Sequence, residues 1–72
     1  MNELPYSLVI KATEKPGLYR FSSPDLRALS GTGYSVDDCV RSAKRGIMEY
    51  MNLLRDQGLP VPPPNPSARI IL

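Results

Sequence analysis

Apolar and polar residues alternate from the start of the chain. Residues 6–12, YSLVIKA, place Tyr6, Leu8 and Ile10 on one face and Ser7, Val9 and Lys11 on the other. This is the period of two that marks a half-buried strand. Residues 18–23, LYRFSS, repeat the pattern, with Tyr19 and Phe21 set against Arg20 and Ser22. Between them lies TEKPG, whose Pro16 fixes φ and whose Gly17 tolerates φ > 0, so the two strands read as a β-hairpin. A third strand is predicted over 29–34, LSGTGY, where Gly31 and Gly33 lack side chains to pack and signal a bulge or a close backbone approach. The strands are thus expected at about 5–12, 18–23 and 29–34.

At Val36 the period changes. Val36, Cys39, Val40, Ala43, Ile47, Tyr50, Met51 and Leu54 recur at spacings of three and four, the stripe of an amphipathic helix over 36–57. Such a helix is about 33 Å long, enough to cover a three-stranded sheet. Ser35 fits the N-cap, and Asp38 stands where a capping box usually has Glu or Gln. Asp37 and Asp38 both lie where the helix dipole favours negative charge. Gly58 at C′ and Pro60 just beyond give the stop. Residues 59–66 include PVPPPNP, which runs extended as polyproline II and returns about 20 Å along the helix. SARIIL, residues 67–72, then supplies a fourth strand. The expected fold is α+β, β-β-β-α-β, a three- to four-stranded mainly antiparallel sheet with one long helix on the face bearing Leu8, Ile10, Tyr19 and Phe21. It is read as one domain over 1–72, without internal repeats and without a DNA-binding domain.

Length and composition add constraints. A chain of 72 residues buries only about 60% of the surface its unfolded form exposes. Domains of this size usually gain a disulfide, a metal or a partner. One cysteine and no histidine leave self-association as the favoured supplement, with Arg69, Ile70, Ile71 and Leu72 as the candidate oligomer edge. The lone Cys39 suits a reducing compartment, no apolar run reaches the roughly 18 residues of a membrane span, and no secretory leader is visible. A cytoplasmic, non-membrane protein is expected. The net charge of +2, nine basic against seven acidic residues, is spread along the chain and points to no particular partner.

Candidate chemistry centres on Asp25, Asp37 and Asp38, which fall within a stretch of fourteen residues. Catalytic or metal-binding acids must converge on one point, whereas neighbours on a helix start diverge by about 100°. Helix capping accounts for Asp37 and Asp38, and Asp25 after Pro24 reads as a turn opener whose side chain bonds amides two residues on. No catalytic residue, cofactor or metal is therefore assigned, and an enzyme is not expected. Gly31-Thr32-Gly33 matches neither phosphate-loop spacing. Cys39 lies on the apolar stripe, where a thiol behaves as a small hydrophobe. Pro60-Val61-Pro62-Pro63 has a PxxP core but serves as a linker. Lys11 and Arg20 share the side of the hairpin away from the helix with Ser7, Ser22, Ser30 and Thr32. They are candidate nucleic-acid contacts, although a solvated sheet face has the same signature.

The order of hairpin with PG turn, PDL, glycine strand, S-x-D-D helix and G-x-P exit resembles the HicB-like antitoxin family over essentially the whole chain. Pro24, Asp25 and Leu26 match its PDL. Gly33 falls near its strand glycine, and Ser35, Asp37 and Asp38 take its T-x-E-E places. Ala43, Lys44, Ile47 and Tyr50 match its helix, and Gly58, Pro60 and Pro62 its exit. The resemblance implies a partial ribonuclease H fold that has lost its catalytic residues and works by binding a HicA toxin, a small mRNA-cleaving ribonuclease. Asp25, Asp37, Asp38 and Tyr34 become the candidate partner contacts. Arg27, Ala28 and Leu29 depart from the family's Pro-Gly-Cys, Tyr34 stands where an acid is common, and the chain is net basic. Full-length family members also carry a C-terminal DNA-binding domain, so this segment is not expected to read DNA. Two other functions fit the same residues: a stand-alone self-associating scaffold, and a weak RNA-binding module.

Overall fold

The computed structural model describes residues 4–72. Strand β1 is Leu8–Ala12, β2 Tyr19–Ser22 and β3 Ser30–Gly33; helix α1 is Val36–Asp56, and β4 is Ile70–Ile71. They form one four-stranded mixed sheet in the order β3-β2-β1-β4, with α1 on one face. β1 and β2 pair antiparallel with Ile10 opposite Phe21 and Lys11 opposite Arg20. β2 and β3 pair antiparallel with Arg20 opposite Thr32. β4 runs parallel to β1, Leu8 opposite Ile70. β3 and β4 therefore point the same way at opposite edges, and α1 is the crossover a parallel return requires.

The first turn closes as the PG pair predicts. Gly17 has φ +78°, the Thr13 amide donates to the Leu18 carbonyl at 3.1 Å, and the Leu18 amide to the Lys15 carbonyl at 3.1 Å. At the helix start the Ser35 hydroxyl accepts from the Asp38 amide at 3.0 Å. Asp38 answers by accepting from the Tyr34 amide at 2.9 Å, a capping box displaced one residue outward by its acid. At the other end Gly58 has φ +70°. The Leu59 amide reaches the Leu54 carbonyl at 2.8 Å and the Gly58 amide the Arg55 carbonyl at 3.1 Å, the paired bonds of a Schellman stop.

All four strands are shorter than their hydrophobic patterns suggest, β2 and β3 by one residue at each end, β1 and β4 by more. β1 begins at Leu8 because Pro5 and Ser7 bond to other partners: the Pro5 carbonyl accepts from the Asn65 amide, and the Ser7 amide donates to Asp25. β4 is confined to Ile70–Ile71 because Asn65 caps a turn over the preceding residues. Its side chain accepts from the Ser67 amide at 2.9 Å and its carbonyl from the Ala68 amide at 3.1 Å.

The core joins Tyr6, Leu8, Ile10 and Phe21 of the sheet side to Cys39, Val40, Ala43 and Ile47 of the helix, with Leu26 and Leu29 closing one end. The helix, about 32 Å long, overhangs strands of roughly 13–17 Å. This gives the chain its long dimension of 41 Å against 23 and 20 Å. The proline-rich return is fastened where Tyr6 donates its hydroxyl proton to the Pro62 carbonyl at 2.6 Å.

Close approach of helix and sheet rests on glycine. A Cβ on Gly33 would lie 2.9 Å from Cys39 Sγ and 3.0 Å from the Cys39 backbone nitrogen, whereas one on Gly46 would meet only the tip of Leu29 at 2.9 Å. Backbone cannot yield as a leucine methyl can. Gly33→Ala is expected to destabilise the domain by about 1–3 kcal/mol. Gly46→Ala offsets its contact with a helix-propensity gain of about 1 kcal/mol. Urea denaturation of both variants checks the ranking, and equal losses would show that the β3–α1 approach is not limiting.

Candidate functional site

β3 carries the chain from one end of the sheet to the other along its edge, and this separates the acidic residues. Asp25 follows β2 at the end where Ser22 faces Ser30, while Tyr34, Asp37 and Asp38 follow β3 at the end where Tyr19 faces Gly33. Among the described residues, no three acids or thiols gather as a metal site would require.

Asp25 works differently from a turn opener. The Ser23 hydroxyl makes the turn, accepting from the Asp25 and Leu26 amides at 3.2 Å each. Asp25 Oδ2 instead accepts from the Ser7 amide at 2.8 Å and from Asn65 Nδ2 at 3.0 Å, and so ties three distant stretches together. The Asn65 side chain first and the Ser7 amide second hold its carboxyl below the usual carboxylate range. Ser7 is itself buried, and its hydroxyl accepts from the Arg69 amide at 3.2 Å. It is thus a joint and not part of an open hydroxyl surface.

At the opposite end Asp38 is spent on the helix cap, with Arg41 3.9 Å from its other oxygen. That ion pair is exposed and contributes little. Asp37 is exposed, and Tyr34 is 78% exposed. This end therefore presents an exposed tyrosine and an exposed aspartate three residues apart in sequence, and tyrosine is among the residues enriched at interfaces.

Lys11 and Arg20 are directly opposite one another on the sheet face away from α1, and both are exposed. The hairpin turn adds Thr13, Glu14 and Lys15 around an open concavity of about 640 Å³. At the β4 edge Ile70 packs partly buried on the core, while Arg69 and Ile71 are exposed and Leu72 is 79% exposed. Cys39 is fully buried; burial, and then the charge of Asp38, push its thiol up. No helix among the described residues is long and apolar enough to cross a membrane.

Comparison of the chain with protein-family models, curated proteins and solved structures gives no match.

Asn65 escaped the sequence reading. Its signal was local, an Asn between prolines followed by Ser, the composition of a side-chain-capped turn, but its bond to Asp25 spans 40 residues.

Two outcomes follow from these contacts. A carboxylate with a depressed folded-state pKa contributes stability above its unfolded pKa and loses it as pH falls through the folded value. Asp25→Asn is therefore expected to be less stable than the parent by a constant margin above about pH 5, and the margin should close below about pH 4. Urea midpoints across that range measure it, and a margin that persists at the acid end would remove the carboxylate from the clasp. Cys39 is expected to react with an aromatic disulfide reagent only at the rate of unfolding. Prompt modification of the native protein would contradict its packing.

Proposed function

We propose that this chain is a binding domain of the HicB-like antitoxin type, which neutralises a HicA-type mRNA-cleaving toxin by covering its surface. The observation that supports the reading most is where the matching residues lie. Asp25 of the PDL match closes the clasp, Leu26 is in the core, Ser35 and Asp38 cap the helix, and the carbonyl of Pro62 in the exit holds Tyr6. A likeness spread over every joint of the fold is harder to meet by chance than one confined to a single motif.

In this reading the toxin docks at the helix start. The side chains of Tyr34 and Asp37 are exposed there, whereas the carboxylates of Asp25 and Asp38 carry internal hydrogen bonds. An exposed tyrosine is a good anchor, because it buries large area at low entropic cost. A carboxylate next to it complements a basic ribonuclease. Inhibition is steric, needs no cofactor, and takes place in the cytoplasm where the messenger is.

Self-association is the second reading, favoured by the β4 edge. The strand order leaves the outer side of β4 unpaired, next to exposed Ile71 and Leu72. An apolar edge of this kind recruits another strand. In that case the chain is a homo-oligomeric scaffold or an oligomeric antitoxin, and light scattering of the parent and Ile71→Lys proteins separates oligomer from monomer.

Co-expression with the HicA-type toxin of the source genome tests the first reading. Growth should be restored and the two chains should co-elute. Tyr34→Ala with Asp37→Lys should weaken the complex about tenfold or more, while a cation in place of an acid at the helix start costs the free domain no more than about 1–2 kcal/mol. A toxin that stays lethal and unbound beside an excess of folded chain would sink the proposal.

A further inference from the structure

The open face of the sheet near the hairpin turn has an electrostatic feature that folding does not explain. Lys11 and Arg20 occupy directly opposed positions on β1 and β2, an arrangement that costs stability when both residues carry the same charge. Among the described residues neither makes an ion pair. Lys15 joins them around the same concavity, where Glu14 in the turn is the one carboxylate against three cations. The turn that presents Lys15 is fastened: the Thr13 hydroxyl donates to the Leu18 carbonyl at 2.9 Å and accepts from the Lys15 amide at 3.2 Å. The cations are thus held near one another on a pre-formed backbone, with a mutual repulsion that an anion would relieve.

The neighbours narrow the choice of anion. Arg20 faces Thr32, and Ser22 faces Ser30; Ser22, Ser30 and Thr32 are all exposed. The row Lys11, Arg20, Thr32 and the row Val9, Ser22, Ser30 therefore set hydroxyls beside the cations on one flat surface. A flat sheet face offers nothing that could enter a duplex groove, but a single strand can lie along it. Hydroxyls that donate and accept match the ribose 2′-hydroxyl, the group that separates RNA from DNA. The strand aromatics, Tyr19 and Phe21, lie on the helix side of the sheet, so bases find no stacking partner and binding cannot depend on sequence.

We propose that the sheet face bearing Lys11, Arg20 and Lys15, with Thr32, Ser22 and Ser30, binds the sugar-phosphate backbone of single-stranded RNA. The contacts are to phosphate and ribose, the affinity is modest, and the site lies across the sheet from the helix. It does not depend on the antitoxin reading.

The test is fluorescence anisotropy of a labelled oligouridine of about twelve nucleotides, titrated with the whole protein between about 20 and 200 mM KCl. Three phosphate contacts predict a log–log salt slope near −2 (about −0.7 per phosphate on a single strand). Lys11→Gln with Arg20→Gln should weaken binding at least tenfold at the low-salt end and bring the slope to about −0.7. Both residues are exposed, and circular dichroism verifies that the variant is folded. Arg45→Gln, on the exposed side of the helix, should bind like the parent. Oligothymidine of the same length should bind more weakly than oligouridine, as should a polyglutamate peptide. No binding at low salt, an equal loss with Arg45→Gln, a double variant that binds like the parent, or tighter binding of the DNA or the peptide would each overturn the proposal.

Discussion

One carboxylate oxygen fastens the fold. Asp25 Oδ2 receives the amide of Ser7, which leads into β1, and the side chain of Asn65, which ends the proline-rich return. The loop that bears it is set by the Ser23 hydroxyl beneath. Three stretches that have no secondary structure in common are held at one point. A small domain has few apolar contacts to spare, so joints of this kind replace core. The same oxygen explains why β1 starts at Leu8, since the Ser7 amide is taken out of the ladder. Asn65 also limits β4, because its side chain and carbonyl organise the turn before Ile70.

The opposite end of the sheet is governed by proximity. Gly33 lets the first turn of α1 sit directly on β3, with Cys39 against it, and Ser35 and Asp38 close that turn. Because β3 runs the length of the sheet along one edge between Asp25 and Asp38, these two acids end up as structural fixtures at opposite ends. What remains for partners is what the joints do not use: Tyr34 with Asp37 at the helix start, the cationic face beneath the hairpin, and the β4 edge.

Much of this was legible in the sequence wherever the physics is local. The period of two in LVIKA and LYRFSS assigned Leu8, Ile10 and Phe21 to the buried face correctly, because side chains on a strand alternate regardless of what they pack against. Ser7, set by the same alternation on the open face, is buried because it lies before the strand. The helix and its stop were legible because Ser35, Asp38 and Gly58 act on amides and carbonyls within five residues. Gly33 announced a close approach, though not whether a bulge or a helix would cause it. What was not legible depends on long-range contact. Asp25 after proline carries the local grammar of a turn, yet its partners lie 18 and 40 residues away. SARIIL has enough apolar residues for a longer strand, but the turn capped by Asn65 uses up its beginning. The division of the acids between two ends, by contrast, follows from β3 lying between them, a strand that LSGTGY had already announced.

The parallel pairing of β1 with β4 bears on how the protein is made. The strands first to be synthesised, β1, β2 and β3, can pair in sequence as neighbours. The other edge of β1, however, waits for residues some 62 positions further on. Closing so long a loop is slow relative to a hairpin. Until Ile70 and Ile71 pair with Leu8 and Val9, the outer side of β1 is open, so the β1–β4 pairing is expected to be the last of the three strand pairings to form.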